Sequence, residues 1–118
     1  MDIQIYKTQL QKTVIVPMTD YVSDCGDCGF TKKDIKKCEK LILKYLFALE
    51  KMKKPTDEKI MECVKTLVLT LNQLNKKTDY CLLETDERES ICEIIQESAV
   101  ACGLADPADD VTEEWREF

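Results

Sequence analysis

The sequence predicts an all-α fold: a small antiparallel bundle of three long helices, with a short C-terminal helix and an N-terminal helix. Three stretches, roughly 34–53, 57–76 and 86–102, repeat apolar residues at three- and four-residue steps, the spacing of an amphipathic helix. Their linkers are short, which favours antiparallel neighbours. A chain of 118 residues can bury a core without metal or disulfide staples. We therefore expect a single domain over 1–118, with the bundle over 31–118.

Residues 1–30 carry the least regular pattern. Ile3 and Ile5 alternate as in a strand, yet the apolar residues up to position 14 also recur at helical steps. We interpret residues 2–16 as a helix.

The first long helix has a signal at each end. Thr31 followed by Asp34 resembles a capping box with a shorter acid. Lys53 and Lys54 before Pro55 should end the helix, because cations suit a C-terminus and the residue before proline avoids the helical conformation. The apolar stripe that we expect to face the core consists of Ile35, Cys38, Leu41, Ile42, Tyr45, Leu46, Leu49 and Met52.

The second long helix is apolar nearly all round. Thr56 can cap it, Met61 and Cys63 widen its stripe, and Leu69 falls on the other side. We therefore expect this helix in the middle of the bundle. Its stripe consists of Ile60, Val64, Leu67, Val68, Leu71 and Leu74.

The third long helix presents small residues and precedes a short terminal helix. It begins at Thr85 or Asp86, and Gly103 supplies the left-handed residue that ends it. Val111 to Trp115 resembles a capped helix, in which we expect Trp115 to pack against the bundle. The buried face of the long helix is predicted to comprise Ile91, Ile94, Ile95, Ser98, Ala99 and Cys102.

Charge is divided unevenly along the chain. The formal net charge is −6, which disfavours affinity of the chain as a whole for nucleic acid or for a surface of anionic lipid. Residues 31–54 carry nine lysines and three acids, whereas residues 84–118 carry twelve acids and two arginines. This division suggests that the outer face of the first long helix lies near the acidic third helix or tail. The alternative is that one of the two faces docks a partner.

One aromatic residue lies on the lysine-rich side of the first long helix. On a helical wheel Phe47 falls opposite the apolar stripe, beside Lys40, Lys44 and Lys51. Either another part of the chain covers this ring or a partner does. An aromatic ring among cations is typical of an anchor for an acidic protein, so these four residues form the predicted partner-binding site.

Seven cysteines are an odd number, which argues against a complete disulfide framework. Cysteine often packs as a small apolar residue. We expect Cys38, Cys63, Cys92 and Cys102 to do so.

The segment Cys25-Gly26-Asp27-Cys28 is the one local motif typical of metal or redox chemistry. A zinc site would lack its second half, since the chain has no other such pair and no histidine. A redox pair would lack the preceding strand of a thioredoxin-like domain. We therefore interpret the motif as a glycine-containing turn and predict no bound metal, with a site at Cys25 and Cys28 as the alternative.

The sequence offers no catalytic constellation. It contains no histidine, no glycine-rich phosphate loop and no nucleophile beside an evident base. Glu84, Asp86, Glu87 and Glu89 bring carboxylates together, but acids are favoured in the first turn of a helix by its dipole alone. We predict no enzymatic activity and no cofactor.

Two segments near the C-terminus carry a resemblance. The string LETDERE at 83–89, followed by DDVTEEWRE at 109–117, resembles the ending of a group of small helical bacterial proteins. The likeness covers residues 82–118. It implies a bacterial origin and an all-helical fold, and it implies no activity.

These observations favour a small, acidic, non-enzymatic protein that binds another protein, most concretely an immunity protein or antitoxin that binds a toxin. We find no signal peptide and no apolar run near the ~20 residues of a membrane span, so we expect a cytoplasmic protein without a membrane partner. The alternative is a metal- or redox-responsive protein that uses Cys25 and Cys28. The oligomeric state stays open.

Overall fold

A computed structural model describes residues 1–105, 107 and 109–118, and every regular element in these ranges is helical. The all-α prediction is therefore confirmed. Four helices follow one another along the chain. They are α1, built from Ile3–Leu10, Gln11–Ile15 and Val16–Asp24; α2, Lys32–Glu50; α3, Asp57–Lys77; and α4, Thr85–Cys102. Within these same ranges, none of the helices combines the length and apolar character needed to cross a bilayer.

Contacts between helix ends define an up-and-down arrangement. The start of α3 meets the end of α4, where Ala105 N donates to Asp57 Oδ1 over 3.0 Å. These two helices are therefore antiparallel. The ends of α2 and α4 lie together, since Cys102 Sγ donates to Leu49 O over 3.7 Å. α2 and α4 therefore run parallel.

α2 and α4 form the centre of the bundle. Each of them contacts all three other helices, while α1 and α3 pack mainly against this pair. The expectation that the second long helix, α3, lies in the middle is therefore wrong. Its outward-facing Leu69 remains 40% exposed, because no other helix in the described ranges passes over that side of α3.

α1 is longer than the helix predicted over 2–16, and a π-helical turn precedes its proline. The turn spans Gln11–Ile15, and Val16 N donates to Gln11 O. Proline in a regular helix removes a hydrogen bond and its ring clashes with the carbonyl four residues earlier. Just before Pro17, the wider turn pairs backbone N–H groups with carbonyls five residues earlier instead of four. The chain then continues as helix to Asp24.

The same π turn keeps one side of α1 on the core. Tyr6, Leu10, Val14 and Met18 are buried at four-residue intervals. In a straight α-helix each such step rotates the side chain by about 40° away from the preceding one. The wider turn winds less per residue and so offsets much of this drift.

The predicted capping signal of α2 is present. Thr31 N donates to Asp34 Oδ2 over 2.9 Å, so the acid three residues after the cap accepts from the cap backbone. The apolar stripes of α2, α3 and α4 face the core as predicted. Their most enclosed members include Ile42, Leu46, Ile60, Leu71, Ile91, Ile94 and Ile95.

A buried hydrogen-bonded group joins the two central helices. Tyr45 is 4% exposed and Ser98 is fully buried. The Tyr45 hydroxyl donates to Ile95 O over 3.1 Å and lies 2.9 Å from Ser98 Oγ. Ser98 Oγ also donates to Ile95 O over 3.1 Å. The polar atoms of both side chains are thereby paired inside an otherwise apolar core.

Asn75 holds the turn between α3 and α4. Asp79 and Tyr80 adopt left-handed backbone conformations, with φ of 56° and 62°, which costs about 1 kcal/mol for a residue with a side chain. Asn75 O accepts from Tyr80 N over 2.7 Å, and Asn75 Oδ1 accepts from Leu83 N over 3.0 Å. This one residue therefore fixes both sides of the turn.

The segment after α4 forms consecutive turns at 111–115 instead of the predicted short helix. Asn72 of α3 holds it: Asn72 Nδ2 donates to Trp115 O over 2.7 Å, and Asn72 Oδ1 accepts from Glu117 N over 2.9 Å. These bonds use backbone groups that a continuing helix would pair internally. Trp115 itself is half-buried and packs against the core.

Asn75→Ala should lower the free energy of unfolding by about 2 kcal/mol, because it leaves the buried Leu83 N–H without an acceptor. Urea denaturation measures this directly. Gln73→Ala, on an exposed position of the same helix, is the matched control and should change stability by no more than about 0.5 kcal/mol. Equal effects of the two substitutions would contradict the assigned role of Asn75.

Alkaline pH should destabilise the fold through Cys38. Burial raises the pKa of this thiol from 9.0 to about 12, so the folded state keeps a proton that the unfolded state releases. The contribution is complete below pH 9 and is lost as pH rises towards 12, by up to about 1.4 kcal/mol per pH unit. Urea titrations across this range should show a shallower loss for Cys38→Ala. Parallel losses in both proteins would show that Cys38 is not responsible.

Candidate functional site

The structure brings together the four residues of the predicted partner-binding site. Lys40, Lys44, Phe47 and Lys51 line one depression on α2 and its C-terminal cap, together with Leu43 and Ala48. All three lysines are exposed. We call the surface formed by Lys40, Lys44, Phe47 and Lys51 the lysine face. It combines three ammonium groups with an apolar floor.

Phe47 is only partly covered by the rest of the chain. Its side chain is 39% exposed, and Lys7 Nζ of α1 lies 5.6 Å from the ring centroid. A cation at this distance over an aromatic ring is attracted to it. The N-terminal helix therefore shields one side of the ring, and the remainder faces solvent among the lysines.

A groove lies on the adjacent side of α2, between α2 and α3. Its volume is about 430 Å³, within the range of small-molecule sites. We call this feature the α2–α3 groove. The residues that line it are Leu41, Lys44, Tyr45 and Ala48 on α2, Met52 just after α2, and Lys59, Glu62, Cys63, Thr66, Leu67 and Thr70 on α3.

Several polar residues of the α2–α3 groove are already hydrogen-bonded within α3 or stay protonated at neutral pH. Thr66 Oγ1 donates to Glu62 O and Thr70 Oγ1 donates to Thr66 O, each over 2.9 Å. Burial raises the pKa of the Cys63 thiol, which keeps this thiol protonated at neutral pH. Three charged side chains remain in the lining: Lys44, Lys59 and Glu62.

Sequence reasoning did not find the α2–α3 groove. Leu41, Tyr45 and Met52 belong to the stripe assigned to the core, and periodicity within one helix does not report the gap to its neighbour. The available signal is residue size, since Ala48 on α2 and the threonines of α3 leave room between the helices. Lys44 and Ala48 line both surfaces, so the groove and the lysine face are continuous.

The lysines of α2 and the acids of α4 do not neutralise each other. Across the described ranges, no lysine of α2 lies within 4.0 Å of a carboxylate of α4 or of the tail, whereas Arg116 and Asp110 pair at 3.3 Å. The expectation that the two charged faces lie together is therefore supported by no ion pair in these ranges. α2 and α4 meet through their apolar sides, as the buried Tyr45 contact shows. Their charges remain on separate outer surfaces.

The Cys25–Cys28 motif forms the loop between α1 and α2. Both thiols are half-buried, and Cys28 Sγ donates to Phe30 O over 3.5 Å. Gly29 has a φ of 86°, and a Cβ there would lie 2.7 Å from Cys81 Sγ, so a third thiol is near this loop. Within the described part of the chain, however, no three Cys, His, Asp or Glu side chains are grouped closely enough to hold a metal ion.

The other cysteines are less enclosed than expected. Cys38 is fully buried, whereas Cys63, Cys92 and Cys102 are only half-buried. These three lie at the margins of their apolar stripes, where one side of the residue reaches the surface. The expectation that all four pack as small apolar residues is confirmed for Cys38, and Cys63 and Cys102 pack against the core while partly exposed. Cys92 instead lies beside Thr112 and Arg116.

The carboxylates at the start of α4 remain dispersed at the surface. Glu84, Asp86 and Glu89 are exposed and Glu87 is partly so. Asp86 and Glu87 occupy the first turn, where the helix dipole favours acids.

No protein-family model, curated protein sequence or solved structure matches this chain. The resemblance over 82–118 therefore stays a prediction.

Thiol labelling under native reducing conditions should separate the cysteines by accessibility. Cys25 and Cys28 in their loop should react well before Cys38, which has no exposed surface and whose reactive thiolate is suppressed by its raised pKa. Mass spectrometry of peptides at successive times measures the order. Protection of Cys25 and Cys28 together with stoichiometric zinc would contradict this prediction and favour the metal-site alternative.

Proposed function

We propose that this protein acts without catalysis, by binding an acidic surface of another protein through its lysine face. The observation that carries the proposal is the exposed part of Phe47, which lies among three lysines that pair with no acid of α4 or of the tail in the described ranges. Aromatic residues are enriched at the centres of protein interfaces. The surrounding cations would accelerate encounter with an acidic partner.

A narrower form of the proposal is that the partner is a toxin and that this protein is its immunity protein or antitoxin. Small size, an acidic composition and a helical scaffold support it. All seven cysteines are free thiols, the state that the cytosol maintains, so we propose that the complex forms in the cytoplasm. The C-terminal resemblance at 82–118 adds support for a bacterial source.

Phe47→Ala should weaken binding to the partner by about tenfold or more, as expected for an interface hot spot. The partner is first captured from cells of the source organism with immobilised protein, then purified and titrated by calorimetry. Leu69→Ala is the matched control, since Leu69 has nearly the same exposed fraction, 40% against 39%, but lies on α3. It should bind normally. A toxin partner would arrest growth when expressed alone, and wild-type protein would restore growth better than Phe47→Ala.

Stability measurements separate this role from simple packing. Phe47→Ala should cost no more than about 1.5 kcal/mol, well below the 3–5 kcal/mol of a fully buried phenylalanine. Lys51→Glu should slow association most at low salt, where charges are least screened. A larger stability loss, or equal binding by Phe47→Ala and wild type, would overturn the proposed contact.

A further inference from the structure

The α2–α3 groove has the dimensions of a site for one extended apolar chain. On α3 it runs from Lys59 to Thr70, a length of about 16 Å at the rise of an α-helix. Its volume is about 430 Å³. A whole helix, with a diameter of about 10 Å, could insert only its side chains, whereas a single alkyl chain could lie along the floor.

The floor of the groove offers apolar contacts along this length. Leu41, Met52 and Leu67 supply hydrocarbon and thioether groups, and Ala48 leaves space between them. The hydroxyl of Tyr45 is committed to Ile95 O. The threonine hydroxyls are bonded to carbonyls of their own helix. A ligand that lies here would therefore meet few polar groups that need a partner.

Charge at the rim selects the head group. Lys44 stands where the groove joins the lysine face, and Lys40 and Lys51 flank it on the outer side of α2. Glu62 is on the opposite wall, with Lys59 nearby. The potential is therefore positive at the α2 rim, and a carboxylate fits there better than an ammonium group.

We propose that the α2–α3 groove binds a free medium-chain fatty acid, with its alkyl chain between α2 and α3 and its carboxylate at Lys44. This activity does not depend on the protein partner proposed above, because it concerns the isolated chain. Burial of the alkyl chain would drive binding, and the ion pair at the rim would set the orientation of the fatty acid.

Cys63 provides a reporter within the groove. Its thiol is half-buried in the lining, whereas Cys92 lines a separate depression with Arg88 and Asp109. Dodecanoate, added to wild-type protein below its critical micelle concentration, should slow alkylation of Cys63 and leave the rate at Cys92 unchanged. Peptide mass spectrometry follows both thiols in one sample. Dodecyltrimethylammonium, which has the same chain and the opposite charge, should protect Cys63 less.

Two matched variants test the orientation. Lys44→Glu should raise the dodecanoate concentration needed for half-protection by about fivefold, the size expected for loss of one exposed ion pair. Lys40→Glu makes the same change one turn away, outside the groove, and should have a smaller effect. Thr66→Phe, an exposed substitution that fills the groove from its rim, should abolish protection while circular dichroism remains unchanged.

Three outcomes would overturn the proposal. One is no protection of Cys63 at any concentration below micelle formation. Another is equal slowing at Cys63 and Cys92, which would indicate non-specific association. The third is equal protection by the cationic and anionic chains, which would assign no role to Lys44. A binding defect of Phe47→Ala towards its protein partner would be unaffected by any of these results.

Discussion

The contact between α2 and α4 at Tyr45 is the constraint on which the rest of the bundle depends. Small residues let two helices approach closely, and α4 supplies Ser98 and Ala99 at this point. The phenol of Tyr45 fills the space, and its hydroxyl finds Ile95 O and Ser98 Oγ. Because no polar atom of this group is left unpaired, the core gains a specific register along with its apolar burial.

This central position also determines which surfaces α2 can offer. Its inner side is used by contacts with α1, α3 and α4, so its lysines are confined to the outer side and to the margins of its contacts. Ala48 lies at one such margin, where its small side chain leaves the α2–α3 groove open next to Phe47. A single helix therefore presents a charged, aromatic face and an apolar cleft that meet at Lys44.

Much of the fold could be predicted because each long helix repeats its apolar residues at the period of an α-helix. The helical wheel of the first long helix placed Phe47 among lysines, and this side chain is partly exposed there. The α2–α3 groove could not be predicted in this way, because its width depends on how two helices approach each other. The partial exposure of Cys63 likewise depends on how α2 and α3 approach each other.

The remaining differences come from interactions distant in sequence. The turns near Trp115 depend on Asn72, 43 residues earlier in the chain, and no local signal announces that bond. The separation of the two charged faces likewise follows from the apolar contact of α2 with α4. At Pro17, the available clue was the four-residue spacing of the buried side chains on either side of it, which a straight α-helix does not sustain over many turns.

The π turn at Gln11–Ile15 has a consequence for how the length of this chain can vary. Such a turn amounts to one extra residue inserted into an α-helix, with the flanking segments kept close to their original orientation. Loss of one residue from this turn, together with replacement of Pro17 by a residue that a regular helix accommodates, would therefore let both halves of α1 keep their places. Tyr6 would stay near Glu97 O on one side, and Tyr21 would stay stacked at 6.0 Å from Phe30 on the other. A single-residue deletion or insertion elsewhere in α1 would rotate one half against the other by about 100°. Among relatives of this protein, length differences within α1 should accordingly concentrate at the π turn.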